Sequence, residues 1–364
     1  MSDSSEAAAA GRVNIVAVAQ RAGVSPATVS RSLRGMAKVA PETRQRVLDA
    51  ARDLSYEHSP RASGMASGSR RAVAVVVPYI TRWFFSTVTA GAVDHLRVNG
   101  YDVTLYHLGD AAIRDHFFER MPLDARVDGV LTLSMPLTEE HTLALRALDI
   151  PLVSVGSPIP GSPSAGIDEN AAARSAVNHL LHLKHERIGF IAGEADDPRF
   201  DFVSSAARRL GYEQALRAAG LTVDERLVAA GPHGLEGGAA AMTQLLARSI
   251  MPTAVFAEYD ELAIGALWAL RRSGLDVPGD VSIIGIDDHE MAAMLDLTTI
   301  AQNVTAQGEI AAQLLLQVLR GEAGEAAVDP VLLPTRLMLR GSTSPPGTAR
   351  SASRRRTRRP DRGR

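Results

Sequence analysis

Between Ser25 and Arg34 the chain reads SPATVSRSLR, and Val29 and Leu33 are the apolar members of one helical face. Pro26, Ala27, Ser30, Arg31 and Arg34 are therefore left on the outer side. Arg31 can offer two donors to the two acceptors of a guanine edge, whereas Pro26 and Ala27 offer only apolar contact, for example to a thymine methyl. Ser25, Thr28 and Ser30 suit phosphate oxygens. A second set falls where short apolar runs end: Tyr79, Tyr106, Ser134, Gly156, Glu194, Tyr259 and Asp287, with Trp83 and Phe84 just beyond the first run. In open parallel sheets, ligands bind outside the carboxyl ends of the strands. Aromatic faces beside carboxylates suit a polyhydroxylated ring, whose C–H face stacks and whose rim hydroxyls hydrogen-bond.

Catalytic and metal chemistry find less support. Cysteine is absent, which removes disulfides, thiolate nucleophiles and Cys-ligated zinc. His179, His182 and His185 are spaced like metal ligands, yet such a series drifts around a helix by about 60° per step. No Cys or acid completes the set, so no metal is expected. GSPSAG at 161–166 lacks the glycine that a nucleophile elbow needs before its serine, and no Gly-rich phosphate loop ends in Lys-Ser/Thr. No catalytic residue and no cofactor is expected.

Short helices must carry the first set. Ile15, Val18, Ala19 and Ala22 recur at helical spacing behind a possible Asn14 cap, and Gly23 ends that helix. Ser25 then caps a second helix with Pro26 at its first position, and a third carries Val47, Leu48, Ala51 and Leu54 on one face. Helix, tight turn, helix is the arrangement that enters a DNA major groove. Residues 59–71, SPRASGMASGSRR, have no core-forming period and read as a linker.

From residue 72 the pattern changes to apolar runs alternating with helices, the signature of parallel sheets. Candidate strands are 72–77, 103–106, 129–134, 152–155, 187–193, 254–257 and 281–286. Leu-Arg-x-x-Gly recurs at Leu96–Gly100, Leu216–Gly220 and Leu270–Gly274, which predicts a helix end with a left-handed glycine before the chain re-enters a sheet. The repetition suggests two lobes.

Charge divides the 364-residue chain in the same way. Residues 1–71 hold 11 basic against 6 acidic side chains, and 346–364 hold 8 arginines against one Asp, while the whole chain is at −2. A basic head on an acidic body predicts a polyanionic partner for the head alone. With 46% hydrophobic and 22% charged residues the composition is that of a globular protein. No apolar run is long enough to span a membrane, and MSDSSEAAAAG does not read as a secretory signal. The cytoplasm is the expected compartment, in association with the nucleoid when DNA is bound. The tail, 346–364, has no apolar residue larger than alanine to bury and is expected to be disordered.

GVSPATVSRSLRG (23–35) followed by VAPETRQRVLDAARDLSY (39–56) closely resembles the head of the lactose-repressor-like family of bacterial transcription regulators. The resemblance continues in order through PYITRWFF (78–85), VDGVL (127–131), HLLHLKHERIGFIAG (179–193), RRLGYEQAL (208–216), PTAVFAEYDELAIGAL (252–267), VPGDVSIIGIDD (277–288), LTTIAQ (297–302) and LPTRLMLRGST (333–343). It implies a small all-α helix-turn-helix head at 12–58, a hinge at 59–71 and a two-lobed α/β body at 72–345, similar to a periplasmic binding protein. The N-lobe would comprise 72–168 plus 299–325 and the C-lobe 169–298 plus 326–343.

The resemblance also assigns roles. The outer face of the second helix would contact a pseudo-palindromic double-stranded operator, and the hinge would wedge Met65, standing where the family usually has Leu, into the minor groove. Arg208 and Asp287 would clamp a small-molecule effector, a sugar or related polyol, while Tyr79 or Trp83 stacks on it from the other lobe. Tyr259 stands where the family often has Asn, and Gly156 where many members have Asp. The function implied is a homodimeric, effector-modulated regulator, most plainly a repressor. Two rivals are a transporter's solute-binding protein, suggested by the body alone, and an α/β enzyme using Asp287, Asp288 or His289. The head opposes the first, and the lack of a nucleophile, base and orienter set opposes the second.

Overall fold

Asn14 Oδ1 accepts the Ala17 amide at 3.0 Å and opens α1 (Ile15–Ala22), which Gly23 ends at φ 66°. Ser25 Oγ accepts the Thr28 amide at 3.2 Å at the head of α2 (Pro26–Leu33). α3 (Pro41–Asp53) begins without a side-chain cap, because Ala40 has no oxygen to supply, and Pro41 and Glu42 fill its first turn. Val18, Ala19, Val29, Val47 and Ala50 form the small core on which these helices meet. Beside Val29 the inner face of α2 buries Ser32, whose hydroxyl donates to the Thr28 carbonyl at 2.8 Å, while Leu33 is only half-buried.

The structure is a computed structural model that describes residues 14–33, 39–54, 56, 70–123, 126–135, 137–194, 203–322 and 329–347. Met1–Arg71 and Ala72–Arg364 are separate compact units. Arg34, Met65, nearly all of the expected hinge, and the tail from residue 348 lie outside the described residues.

The body holds two sheets. β1 (Ala72–Val77), β2 (Asp102–His107), β3 (Gly129–Leu133), β4 (Leu152–Val155) and β5 (Ser164–Gly166) join β11 (Val331–Leu332) in a parallel sheet ordered β11-β5-β4-β3-β1-β2. Its crossovers are α4 (Trp83–Val98), α5 (Ala111–Arg120) and α6 (Glu139–Arg146), and α11 (Val304–Leu319) packs along α4. β1 shows why a continuous apolar run suits this position. Val73, Val75 and Val77 enter one core and Ala74 and Val76 the other, so both faces of the strand are buried.

The second sheet contains β6 (Ile188–Gly193), β7 (Val228–Gly231), β8 (Ala254–Ala257), β9 (Ser282–Asp287), β10 (Thr298–Ala301) and β12 (Arg336–Met338), ordered β12-β10-β9-β8-β6-β7. It is parallel except where β12 pairs antiparallel with β10. α7 (Glu169–His182), α8 (Val203–Ala218), α9 (Leu235–Leu246) and α10 (Asp260–Arg272) cover it. Each Leu-Arg-x-x-Gly segment ends a helix as its chemistry requires. Gly100, Gly220 and Gly274 stand at φ 77°, 76° and 74°, and the following amides of Tyr101, Leu221 and Leu275 donate back to the carbonyls of Leu96, Leu216 and Leu270.

Two lobe boundaries differ from the expectation. β10 pairs with β9, so residues 299–301 belong to the second sheet and the chain returns to the first lobe only after Ala301. β11 pairs with β5, so 331–332 belong to the first sheet, not the second. Both segments are strands of two to four residues, and hydrogen-bond pairing rather than any apolar pattern determines their sheet.

Tyr212 is fully buried beneath the second sheet, stacked on Phe190 with its hydroxyl donating to the Ile188 carbonyl at 2.9 Å. Tyr212→Phe leaves that carbonyl without its donor and is expected to cost about 1–2 kcal/mol, read as a lower urea midpoint at unchanged slope.

Candidate functional site

In the head, Ser25, Pro26, Ala27 and Arg31 are exposed along α2, with Thr28 and Ser30 half-buried beside them. The Ser25 and Thr28 hydroxyls lie 2.9 Å apart and Ser25 also holds the Thr28 amide, so these two side chains first complete the helix N-terminus. Pro26, Ala27 and Arg31 stay exposed on the same short helix, and their chemistry is of the kind that suits a thymine methyl and a guanine edge. Arg31→Ala is expected to weaken specific operator binding by about 1–3 kcal/mol and to relax preference at one base in each half-site. Titration of specific and random duplexes at one salt concentration checks it, since equal losses on both would mean that Arg31 touches phosphate alone.

The body carries a cleft that opens to solvent between its two sheets. The first lobe supplies Arg82, Phe84 and Phe85 from the β1–α4 corner and Ser134 from the end of β3. The second supplies Glu169 from α7, Ser204, Ser205 and Arg208 from α8, His233 from the β7–α9 loop, Glu258, Tyr259 and Glu261 around the start of α10, and Asp287 from the end of β9. Strand ends and helix N-termini converge here because a parallel sheet turns every strand's carboxyl end to the same edge.

Arg208 is the buried centre of the second-lobe wall. Its Nε donates to Glu169 Oε2 at 2.7 Å and its Nη1 to the Glu258 carbonyl at 2.8 Å. Burial works against its charge, but Glu169, Asp287 and Glu258 outweigh that penalty and hold its pKa above the ordinary value. Glu258 accepts from the Ser205 hydroxyl and from the Gly193 amide at 3.0 Å, tying α8 to β6. Asp287, at φ 132°, accepts from Gln302 Nε2 at 2.6 Å, and Gln302 in turn accepts from Gln307 Nε2 at 2.8 Å, a buried relay reaching from β9 into α11. Burial pushes the Asp287 carboxyl up to about 7 in spite of Arg208 and Gln302, and Glu169 and Glu261 add to the rise.

Asp260 lies close behind. It does not cap α10, whose N-cap is Tyr259, but accepts from the His289 amide at 2.9 Å and the Thr299 hydroxyl at 2.8 Å. Complete burial, with Asp287 adding to it, raises its pKa well above the carboxylate range. The Tyr259 hydroxyl meets His233 Nδ1 at 2.8 Å and accepts the Gly234 amide at 3.4 Å, which ties the β7–α9 loop to the start of α10. Burial and the nearby Arg82 drop the His233 pKa to about 3, which keeps the imidazole neutral.

Of the seven side chains expected at the ligand, Phe84, Ser134, Arg208, Tyr259 and Asp287 line the cleft, and Tyr79 and Trp83 do not. The Tyr79 ring is covered by the Arg82 guanidinium at 4.0 Å. Trp83 packs on His289 with centroids 4.8 Å apart, and its amide donates to Glu261, so it forms part of the seam between the lobes. Among the other strand-end positions, Tyr106 packs on Phe117 away from the cleft. Glu194 borders a different groove. Gly156 backs Ser134 so closely that a Cβ there would sit 2.0 Å from the Ser134 hydroxyl.

Sequence reasoning missed Arg82, Phe85, Glu169, Ser204, Ser205, His233, Glu258 and Glu261. Glu258 directly follows the AVFA run and was open to the strand-end rule, whereas the others sit on helices or loops that carry no such signal. The three spaced histidines go to structure: His179 to Thr343, His182 to the Asn178 carbonyl, and His185 to Thr253 and the Ser344 carbonyl.

Comparison with known proteins fits both halves of this geometry. Residues 14–59 match the family described as bacterial regulatory proteins, lacI family, and residues 177–343 match a periplasmic binding protein-like domain. The catabolite control protein A of Priestia megaterium is 32% identical over 336 residues, covering 91% of this chain and 99% of its own. A crystal structure of the lac repressor dimer bound to operator and the anti-inducer ONPF superposes with a TM-score of 0.80 at 26% identity, covering 92% of this chain and 100% of the other. A complex of the transcriptional regulator CelR with cellobiose does so with a TM-score of 0.67 at 32% identity, covering 91% and 100%. The chain belongs to the lacI family of bacterial regulatory proteins and is a DNA-binding transcription regulator, not an enzyme.

Proposed function

We propose that this chain is a repressor that works as a homodimer on a pseudo-palindromic operator, with Arg31 as its principal base reader, and that a sugar or related polyol in the body's cleft sets its operator affinity. The observation that carries the reading is the cleft itself. Arg208 and Asp287 stand on one wall with Phe84 and Ser134 on the other, so a ligand touching both changes the balance between lobe arrangements. The relatives support a carbohydrate effector, since one is seen with cellobiose, another with ONPF on operator DNA, and a third, from Enterococcus faecium, with ribose. Its place of work is the cytoplasm, on the nucleoid when bound.

Selection of binding sequences from a random duplex pool with the full chain, followed by light scattering of the complex and operator titration with and without candidate sugars, tests the whole reading. The expected result is a two-fold symmetric consensus, two chains per site and a sugar-dependent Kd. A consensus without symmetry would remove the dimer, and an operator affinity indifferent to every bound sugar would remove the sensor, because linkage requires coupling in both directions.

A further inference from the structure

The last described residues of the body are tied to one end of the second sheet. The Ile283 amide donates to the Ser342 carbonyl at 2.8 Å, and Ser342 Oγ donates to the Ile283 carbonyl at 2.6 Å. Ser282 Oγ accepts the Ser344 amide at 3.0 Å, and His185 Nε2 meets the Ser344 carbonyl at 2.8 Å. Ser282 is the first residue of β9, whose other end, Asp287, lines the cleft. The chain therefore leaves the body at the amino ends of these strands, on the side away from the cleft. The head is joined at the matching place on the first sheet, since Arg71 leads directly into β1. β1 and β9 have six residues each and span about 20 Å apiece at about 3.3 Å per residue, with the cleft between their carboxyl ends. Entry and exit lie at opposite ends of the body.

Residues 348–364 lie outside the described residues, and their charge is one-sided: eight arginines against one Asp, with five of the arginines between 354 and 359. An extended chain advances about 3.3–3.6 Å per residue, close to the spacing of about 3.4 Å between charges on one strand of a duplex, so such a run can pair with phosphates almost one for one. Guanidinium groups also grip phosphate oxygens two at a time. The body's own surface at the anchor competes poorly. Glu186 stands between Lys184 and Arg187 in sequence, and Asp280 Oδ2 already accepts the Asp276 amide at 2.8 Å. Arg359, twelve residues past Gly347, reaches at most about 40 Å from the anchor. That is no more than the two strands span without the cleft, so the run does not reach back to where the head is joined.

We propose that the arginine run is a second DNA-binding element: it holds the phosphate backbone of a separate duplex segment while the head holds the operator. Blocks of like charge commonly serve as arms for nucleic acid, and this one stands at the end of the body where the head is not. One molecule then bridges two stretches of DNA.

The test saturates the full chain with an immobilised excess of the operator duplex recovered by selection, then adds a labelled random duplex between about 50 and 200 mM salt. The expected result is retention of the labelled duplex, with a log–log salt slope of about −4 to −5 contributed by five arginines. The variant carrying Arg354→Gln, Arg355→Gln, Arg356→Gln, Arg358→Gln and Arg359→Gln is expected to retain it at least about tenfold more weakly, with operator Kd and melting temperature unchanged. Equal retention by the variant, or none by the unaltered chain, would overturn the proposal. An equal loss of operator affinity would assign the run to the operator duplex itself, and a lower melting temperature would assign it to the acidic body; either removes the bridge.

Discussion

Arg208→Ala is expected to cost about 3–5 kcal/mol of folding free energy in the body and to lower effector affinity by at least about 2 kcal/mol. Both losses have one source. The guanidinium lies fully inside, and it alone spans Glu169, the Glu258 carbonyl and the field of Asp287. Its removal leaves the Glu169 carboxylate, with a side chain only 13% exposed, facing a hole instead of a cation. Because so large a loss can unfold the second lobe, the paired change Glu169→Gln with Arg208→Met separates the two effects. It replaces the ion pair with neutral groups of similar length and is expected to recover most of the stability while effector affinity stays low. Urea melts of the body, alongside calorimetric titration with any sugar bound by the unaltered chain, read the two quantities independently. Normal effector affinity in the folded pair would put the binding site elsewhere.

The same side chain shows how far the sequence could be read. Arg208 had no signal of its own on α8 and came to notice only through the family resemblance of RRLGYEQAL, whereas Asp287 followed from a strand-end rule because VSIIGI is an unmistakable buried strand. Helix ends were legible for a comparable reason: Leu-Arg-x-x-Gly encodes its own termination, and all three copies close with the expected left-handed glycine. β5, β7, β10, β11 and β12 were not legible. SAG, VAAG, TTIA, VL and RLM are too short to show a period, and they become strands only because a neighbouring strand offers them hydrogen bonds.

Aromatic type misled at Tyr79 and Trp83. Both stand beside the right cleft, but Arg82 covers one and His289 takes up the other, and such pairings between distant segments leave no trace in spacing. His233 failed in the opposite direction. It is a single histidine in a glycine-rich loop, and its role depends on the Tyr259 hydroxyl from another strand end. Even so, the substitution of Tyr259 for the family's usual Asn was visible, and the structure gives it a consequence, since the tyrosine hydroxyl reaches His233 and thereby brings a neutral imidazole into the wall.

Asp287→Asn is expected to stabilise the protein above pH 7 while weakening effector binding. The Asp287 carboxyl titrates at about 7 in the fold against an ordinary value of 3.8, chiefly because burial penalises its charge. The folded state therefore binds a proton that the unfolded chain has already released, and the linked stability is fully present below about pH 3.8 and lost as pH rises through about 7. The whole shift corresponds to at most on the order of 4 kcal/mol, which a neutral isostere would retain at high pH. Asn keeps an oxygen to accept the Gln302 amide, and it tolerates the positive φ at this position as Asp does. The groups facing the carboxyl are Arg208 from α8, Glu169 from α7, Asp260 and Glu261 from α10 and Gln302 from the crossover to α11. Among them Asp260 and Glu261 are also raised chiefly by burial, so they steepen the decline without reversing it. Denaturant midpoints at pH 5, 7 and 8.5 should diverge between the two proteins as pH rises, with the variant the more stable at the top of the range. An effector whose hydroxyl donates to the ionised carboxylate should bind the unaltered chain more tightly as pH rises toward neutrality, and it should lose that dependence in Asp287→Asn. Parallel stability curves for the two proteins across the range would mean that Asp287 is ionised throughout, with Arg208 as its full counter-ion.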